Sequence, residues 1–141
     1  MSEYVPSAQK WVRDQVELYE RTGGAKGNTI NGMPIVVITS VGHKSGYLRK
    51  NPVMRVEKDG VYAAVASKGG APENPEWYQN FIADPEVQLQ DGPEPHTYTA
   101  RLANAEERAE WWPRAVEAFP PYAEYATKTD REIPVFLLER S

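Results

Sequence analysis

The order of the strand and helix signals constrains the fold of this chain more than any other feature. Apolar and β-branched runs typical of strands recur along the sequence, at residues 35–39, 47–57, 60–67, 87–90, 97–103 and 134–138. Turn signals at Lys58-Asp59-Gly60 and Asp91-Gly92 predict hairpins between neighbouring runs. Strands and helices do not alternate regularly, which disfavours a doubly wound parallel sheet. The pattern predicts an α+β fold, in which antiparallel strands curl into a small barrel with helices packed outside.

Four helices are predicted around these strands, at residues 6–21, 75–82, 104–119 and a short segment after Pro120-Pro121. Ser7 is the expected N-cap of the first helix, and Asn104 with Glu107 forms a capping box for the third. The first helix carries an apolar stripe at helical spacing, made by Trp11, Val12, Val16 and Tyr19. This stripe is expected to dock on the domain. A lid over a pocket and a weak contact with a membrane surface are the alternatives.

Composition limits the class of protein. A chain of 141 residues suits a single domain spanning residues 1–141, in which residues 1–29 form an N-terminal helix and loop. A net charge of -4 argues against nucleic-acid binding, which favours a broadly basic face. The absence of cysteine and the presence of only two histidines leave no metal site in prospect. The sequence has no signal-peptide core and no apolar run of membrane length, so a cytoplasmic location is expected. If the first helix binds a membrane surface, the protein would be peripheral at that membrane.

Residues 42–55, GHKSGYLRKNPVMR, concentrate positive charge in an acidic protein. They hold four of the 16 Lys and Arg residues and none of the 20 Asp and Glu residues. Gly42 and Gly46 bracket His43-Lys44-Ser45, so the backbone N–H groups can converge into a cup for a phosphate or carboxylate. In a strand, Arg49 and Arg55 share a face with Val53, and Lys50 points the other way. A solvated edge strand whose charges discourage aggregation is the alternative.

Three further patterns could surround a ligand. Ser67-Lys68 and two glycines follow a strand, which lets the backbone approach a ligand closely, although such a pair is often only a turn. Trp77 and Asn80 lie one helical turn apart. Rings at residues 119, 122 and 125 recur every third position, which predicts an aromatic helix face that is either core or a wall for planar substrates. No Ser-His-Asp set or close carboxylate pair emerges, so the chemistry is expected to belong to a cofactor.

Several segments together resemble the deazaflavin-dependent nitroreductases, also called F420H2-dependent quinone reductases. They are TSVGHKSGYLRKNPVMRV, YAAVASKGGAPENPEWYQN, DPEVQLQDG, YTAR and YATKTDREIPVFLLE, and the resemblance covers about residues 30–140. It implies a split β-barrel related to the flavin-mononucleotide-binding oxidoreductases. It also implies reduced coenzyme F420, a deazaflavin with a phosphate, a lactyl group and an oligoglutamate tail, as the hydride donor.

The resemblance also implies site residues. Cofactor contacts are expected at His43, Lys44, Ser45, Arg49, Lys50, Asn51, Pro52, Val53, Met54, Arg55, Val65, Ala66, Ser67, Lys68, Glu76, Trp77, Tyr78, Gln79, Asn80 and Tyr122. Lys44, Ser45, Arg49 and Lys50 are assigned to the phosphate and tail, whereas residues 51–54 and 66–67 follow the ring. Substrate contacts are expected at Met54, Phe119, Tyr122 and Tyr125. Ser67 and Tyr122 are the catalytic candidates, as hydrogen-bond donors to a developing oxyanion.

The implied reaction is hydride transfer to a planar electrophilic small molecule. Quinones, activated enones such as coumarin and furanocoumarin lactones, and nitro-heteroaromatics belong to this class. Phe119 stands where some nitroimidazole-activating members carry a tyrosine, which argues against activity on those compounds. A flavin-mononucleotide enzyme on the same barrel and a non-catalytic F420 carrier are the alternatives.

Overall fold

The computed structural model of the protein describes residues 3–141, and within them eight strands and four α-helices. In chain order they are α1 (Lys10–Arg21), β1 (Thr29–Ile30), β2 (Met33–Val41), β3 (Leu48–Met54), β4 (Glu57–Lys58), β5 (Val61–Val65), α2 (Glu76–Ala83), β6 (Glu86–Gln90), β7 (Pro95–Leu102), α3 (Ala105–Ala118), α4 (Pro121–Thr127) and β8 (Val135–Arg140). A short 3-10 turn at Lys68–Gly70 lies between β5 and α2. None of the helices in the described part of the chain is long and apolar enough to cross a membrane.

The strands form one antiparallel sheet in the order β1-β2-β6-β7-β8-β5-β4, with β3 paired to β2. The sheet curls into a half-barrel and the helices pack against it, so the predicted α+β split barrel is confirmed. β3 lies at one end of the curled sheet, and β5 with β4 lies at the other. Residues from these two ends line the cavity described below.

β2, β5 and the first four residues of β8 are buried on both faces over most of their length, which explains their continuous apolar runs. In β2, Ile35 and Val37 pack with α1, α3 and α4 on one face of the sheet. Val36 and Ile38 pack with Trp77 and other α2 residues on the opposite face. Side chains alternate across a strand with a period of two, so each residue of the run has a buried partner surface.

One predicted strand pairing is wrong. Residues 47–57 do not pair with residues 60–67: β3 pairs with β2 in a register that runs from Ile35 opposite Met54 to Val41 opposite Leu48. The turn at Asp59-Gly60 does exist, but it joins only the two-residue β4 to β5. The reason is that β3 ends at Met54, and the loop at residues 42–47 is itself the hairpin connection that returns the chain against β2.

The predicted start of the first helix is also wrong. α1 begins at Lys10, and the Ser7 hydroxyl accepts a hydrogen bond from the Gln9 N–H (3.1 Å) without capping the helix. The preceding residues are extended along the start of β3, where Leu48 N–H donates to the Glu3 carbonyl. Docking of the predicted apolar stripe is confirmed for Val12, Val16 and Tyr19, which are buried, but not for Trp11, which is exposed. The Asn104–Glu107 capping box that opens α3 is confirmed as well.

Candidate functional site

A cavity of about 670 Å³ lies where β3, the end of β5 and the starts of α1 and α2 meet. α4 and Phe119, the C-cap residue of α3, close a further side. The lining residues are Ser7, Ala8, Gln9, Trp11, Val12, Ile30, Arg49, Asn51, Pro52, Val53, Met54, Val65, Ser67, Lys68, Gly69, Pro75, Glu76, Trp77, Asn80, Phe119, Tyr122 and Tyr125. A volume of this size suits a small organic ligand that is largely enclosed.

One wall of the cavity is aromatic. Phe119 ends α3, and Tyr122 and Tyr125 lie one turn apart on α4, so the three-residue spacing brings their rings together. The ring centroids are 5.0 Å apart for Phe119 and Tyr122, 6.2 Å for Phe119 and Tyr125, and 6.3 Å for the two tyrosines. These edge-on and tilted packings present an apolar surface suited to a planar molecule.

The hydroxyl of Tyr122 is the unusual polar group on this wall. The Tyr122 side chain is buried, and its hydroxyl makes no hydrogen bond within residues 3–141. Burial raises the pKa of the phenol well above its usual value, and the neighbouring Tyr125 adds to this. Tyr122 therefore stays protonated at neutral pH, as a hydrogen-bond donor whose partner has to come from the cavity.

The opposite wall combines apolar β3 side chains with two cations. Val53 and Met54 are buried, and Pro52 and Asn51 line the same stretch. Arg49 lines the cavity and forms no ion pair with any residue in the described range. Lys68 is exposed and pairs with Glu73 at 3.1 Å. An unpaired guanidinium beside an apolar slot is an arrangement that suits a ligand with a neutral ring and an anionic substituent.

The glycine-flanked loop at residues 42–46 lies outside the cavity lining. Its N–H groups are mostly used within the protein: Gly46 N–H donates to the Gly42 carbonyl, and Tyr47 N–H donates to the Ser45 hydroxyl. The backbone N–H and the Nδ1 atom of His43 both contact Oδ1 of Asn80, at 2.9 and 2.8 Å. Asn80 lines the cavity, so the loop is linked to the site through the α2 amide, whereas the N–H groups of Lys44 and Ser45 have no hydrogen-bond partner among the described residues.

The other cations of the basic stretch are paired elsewhere. Lys50 points away from Arg49, as expected for alternate strand positions, and its ammonium contacts Glu20 of α1 at 2.5 Å. Arg55 follows the strand and donates to Asp91 at 2.8 Å. Asp91 also accepts from the Tyr62 hydroxyl. The positive charge that is continuous in sequence is therefore divided between the cavity, the α1 contact and the turn after β6.

Many of the predicted site residues are brought together at this cavity. Those that line it are Arg49, Asn51, Pro52, Val53, Met54, Val65, Ser67, Lys68, Glu76, Trp77, Asn80, Phe119, Tyr122 and Tyr125. Those that do not are His43, Lys44, Ser45, Lys50, Arg55, Ala66, Tyr78 and Gln79. The roles assigned to both groups stay predictions.

The sequence indicated a lid over a pocket only as an alternative for the first helix, and none of its residues was assigned to the site. Trp11 lines the cavity and is 57% exposed, whereas Val12, Val16 and Tyr19 of α1 are buried. The sequence signal for this position was the tryptophan in the apolar stripe of the first helix, because a large apolar side chain that stays exposed at the edge of a docked helix can mark a binding site. Ser7, Ala8, Gln9 and Ile30 also line the cavity and were not predicted to do so.

The half-barrel carries a cavity that combines an apolar wall, an aromatic wall and two cations, an arrangement that suits a planar ligand with an anionic substituent. The family model for F420H(2)-dependent quinone reductases matches residues 11–140. The chain therefore belongs to that family. It is accordingly an oxidoreductase that uses reduced coenzyme F420 and a small-molecule acceptor.

Individual relatives agree with this membership. The chain is 32% identical over 127 residues to an F420H(2)-dependent quinone reductase of Mycobacterium tuberculosis, covering 87% of this chain and 85% of that protein. The solved structure of an F420-H2 dependent reductase, FDR-A, is 58% identical, with a TM-score of 0.71 over 75% of this chain and 94% of the other. A structure described as a domain-swapped dimer is 52% identical, with a TM-score of 0.74, covering 94% of this chain and all of that one.

The residues of the cavity fit the chemistry of this cofactor. The deazaflavin ring is planar and largely apolar, and the walls at Val53, Met54 and Tyr122 are apolar and aromatic. The phosphate and glutamate groups are anionic, and Arg49 supplies a guanidinium without a competing carboxylate among the described residues. The partnerless Tyr122 hydroxyl supplies a donor for a ligand oxygen or nitrogen.

Proposed function

We propose that the protein reduces planar electrophilic acceptors with F420H2 bound in the cavity between β3 and the end of β5. The observation that carries this proposal is that a single cavity joins the unpaired Arg49, the apolar β3 wall and the aromatic wall at residues 119–125. The β3 residues, Val65 and Ser67 hold the ring, and Arg49 with Lys68 binds the anionic part. The acceptor then contacts the aromatic wall.

When bound, the reduced deazaflavin supplies a hydride for transfer to an electrophilic carbon of the acceptor. The protein's own contribution is positional and electrostatic. The Tyr122 hydroxyl, held by the packing of its ring against Phe119 and Tyr125, donates to the oxygen on which negative charge develops. Ser67, buried just after β5, is the second candidate donor. Because the Tyr122 ring is packed in place before the reaction, little reorganisation of this donor is required when charge develops.

Acceptor selectivity depends on the aromatic wall. Phe119 is buried against Tyr122 and has no hydroxyl, so this position contacts an acceptor only through its ring. Quinones and activated enones, including coumarin and furanocoumarin lactones, need stacking and one or two donors to a carbonyl oxygen. Nitroimidazoles, which are smaller and more polar, gain less from this surface. We therefore infer a preference for quinones and enones over nitroimidazoles.

Trp11 is the proposed acceptor-side cover of the cavity. It lines the cavity with 57% of its surface exposed, on a helix that is docked through Val12, Val16 and Tyr19. Trp11→Ala is expected to raise KM for menadione severalfold while leaving the Kd of F420 unchanged. Binding of the wild-type protein to phospholipid vesicles, lost in Trp11→Ala, would instead assign the indole to a membrane surface.

The experiment that tests the function follows the absorbance of oxidised F420 after F420H2 and menadione are mixed with the purified protein. We expect cofactor oxidation that depends on both the protein and the acceptor. A protein that is yellow as purified and ignores added F420 would favour the flavin-mononucleotide alternative. Tight F420 binding without turnover of any quinone or enone would favour a carrier. Failure to bind either cofactor would refute the proposed site.

A further inference from the structure

Arg131 holds the loop that forms one wall of the cavity, although it does not itself line the cavity. Its Nη2 atom donates to the carbonyl oxygens of Ala66 (3.2 Å), Ser67 (3.0 Å) and Glu73 (3.0 Å). Its Nε atom donates to the Ala71 carbonyl at 3.1 Å, and Nη1 donates to Oδ1 of Asn74 at 2.6 Å. One guanidinium thus connects both ends of the loop between β5 and α2.

The loop that Arg131 holds has an unfavourable backbone conformation. Lys68, Gly69 and Gly70 have φ values of 47°, 66° and 85°, so three consecutive residues lie in the left-handed region. For Lys68 this conformation costs about 1–2 kcal/mol relative to an ordinary one. Such conformations persist where the surroundings hold them in place, and they are concentrated at functional sites. The contacts of Arg131 and the packing of Gly70 against Tyr125 provide that support here.

The direction of the held carbonyl groups fixes the direction of two N–H groups. In a trans peptide the C=O and N–H bonds point in opposite directions. Because the carbonyl oxygens of Ala66 and Ser67 point at the Arg131 guanidinium, the N–H groups of Ser67 and Lys68 point away from it. Both residues line the cavity, and neither N–H donates a hydrogen bond to any residue within 3–141.

We propose that Arg131 is a positioning residue, which directs the N–H groups of Ser67 and Lys68 into the cavity as a pair of donors for a carbonyl or anionic oxygen of the bound cofactor ring. This inference rests on the proposed binding of F420 in the same cavity. Two adjacent N–H groups held from behind are pre-organised, so binding loses little conformational entropy in this loop. A lysine at position 131 keeps the charge but lacks the planar fork that spans five acceptors.

The test is a titration of 15N-labelled protein with oxidised F420, combined with measurements of Kd and Tm for three variants. Arg131→Lys removes the fork, and Asn74→Ala removes one of its acceptors. Arg101→Lys is the matched control, since Arg101 also makes several hydrogen bonds, to Glu107 and Glu139, but lines no part of the cavity. In the wild type, the amide resonances of Ser67 and Lys68 are expected to shift strongly on cofactor binding.

In Arg131→Lys these shifts should shrink, and the Kd of F420 should rise about tenfold, the effect expected for weakening two hydrogen bonds. Asn74→Ala should show a smaller change in the same direction, and it decides the matter if Arg131→Lys does not fold. Arg101→Lys should lower Tm without changing Kd. A lowered Tm with unchanged Kd in the position 131 and 74 variants would make Arg131 merely structural and overturn the inference. If F420 shifts the amide resonances of other cavity residues but not those of Ser67 and Lys68, the role of Arg131 is refuted and the proposed function stands. If F420 shifts no amide resonance in the cavity, both proposals are refuted.

Discussion

Replacing Tyr122 with phenylalanine separates the catalytic role of its hydroxyl from the packing role of its ring. The ring packs against Phe119 and Tyr125, and phenylalanine keeps those contacts. The hydroxyl has no hydrogen-bond partner within residues 3–141, and Tyr122 is 4% exposed. Its removal should therefore leave the free energy of unfolding within about 0.5 kcal/mol of the wild-type value, or raise it slightly.

The same substitution should slow the reaction. If the hydroxyl donates one neutral hydrogen bond to the reacting acceptor, its loss costs about 0.5–1.5 kcal/mol of transition-state stabilisation. That corresponds to a decrease of about 2- to 13-fold in kcat/KM for menadione. The measurement is steady-state oxidation of F420H2 at several menadione concentrations, together with thermal unfolding of both proteins.

Tyr62→Phe is the matched control, because its hydroxyl has the opposite surroundings. Tyr62 is also buried, but its hydroxyl donates to Asp91 at 2.5 Å and it lines no part of the cavity. Losing this bond to a carboxylate should cost about 1.5–3 kcal/mol, a decrease in Tm of about 5–10 °C for a domain of this size. Its kcat/KM should be unchanged. Equal kcat/KM for Tyr122→Phe and wild type, with a lowered Tm, would refute the assignment of Tyr122 as a donor to the acceptor.

Three further predictions follow from the cavity walls and from one surface cluster. Arg49→Ala should raise the Kd of F420 about tenfold by removing a charge-assisted contact, with little change in KM for menadione; equal effects on both would contradict a role at the anionic tail. Gly69→Ala should lower the free energy of unfolding by about 1–2 kcal/mol, because its φ is left-handed and the space around it is open. Gly70→Ala should lower it by about 1–3 kcal/mol more, because the added Cβ would lie 3.0 Å from the Tyr125 carbonyl oxygen. Equal Tm values for the two variants would show that this packing contributes nothing to stability. The Arg101 side chain and the Asn104 N–H lower the pKa of Glu107 from 4.5 to about 2. The ionised Glu107 therefore stabilises the fold fully above pH 4.5, and this contribution disappears as pH falls toward 2. Tm of Glu107→Gln should fall less steeply than that of the wild type across this pH range, and parallel curves of Tm against pH for the two proteins would contradict this linkage.

Local patterns predicted the parts of this molecule that depend on neighbours in sequence. The aromatic wall follows from rings at every third residue around a helix break, and the Asn104–Glu107 box follows from side-chain chemistry within one turn. The burial of β2 follows from a β-branched run in which Ile35, Val36, Val37 and Ile38 are apolar in succession. In each case the interacting groups lie within a few residues, so spacing alone fixes their geometry.

Contacts between distant residues could not be predicted in this way. Lys50 pairs with Glu20 and Arg55 pairs with Asp91, at sequence separations of 30 and 36 residues. The sequence of the basic stretch therefore could not indicate that its cations would bind different parts of the fold. Arg131 contacts acceptors 57 to 65 residues earlier in the chain, and no local pattern marks it. The pairing of β3 was mistaken for the same reason, because both flanking hairpins satisfy the alternation of side chains.

The most direct test of the account is a crystal structure of the protein with oxidised F420. We expect the deazaflavin ring to lie in the cavity between β3 and Val65–Ser67. Arg49 should lie within hydrogen-bond distance of the phosphate or the tail, and the Ser67 and Lys68 N–H groups should face the ring. A ring bound outside this cavity, or a tail directed away from Arg49, would contradict it.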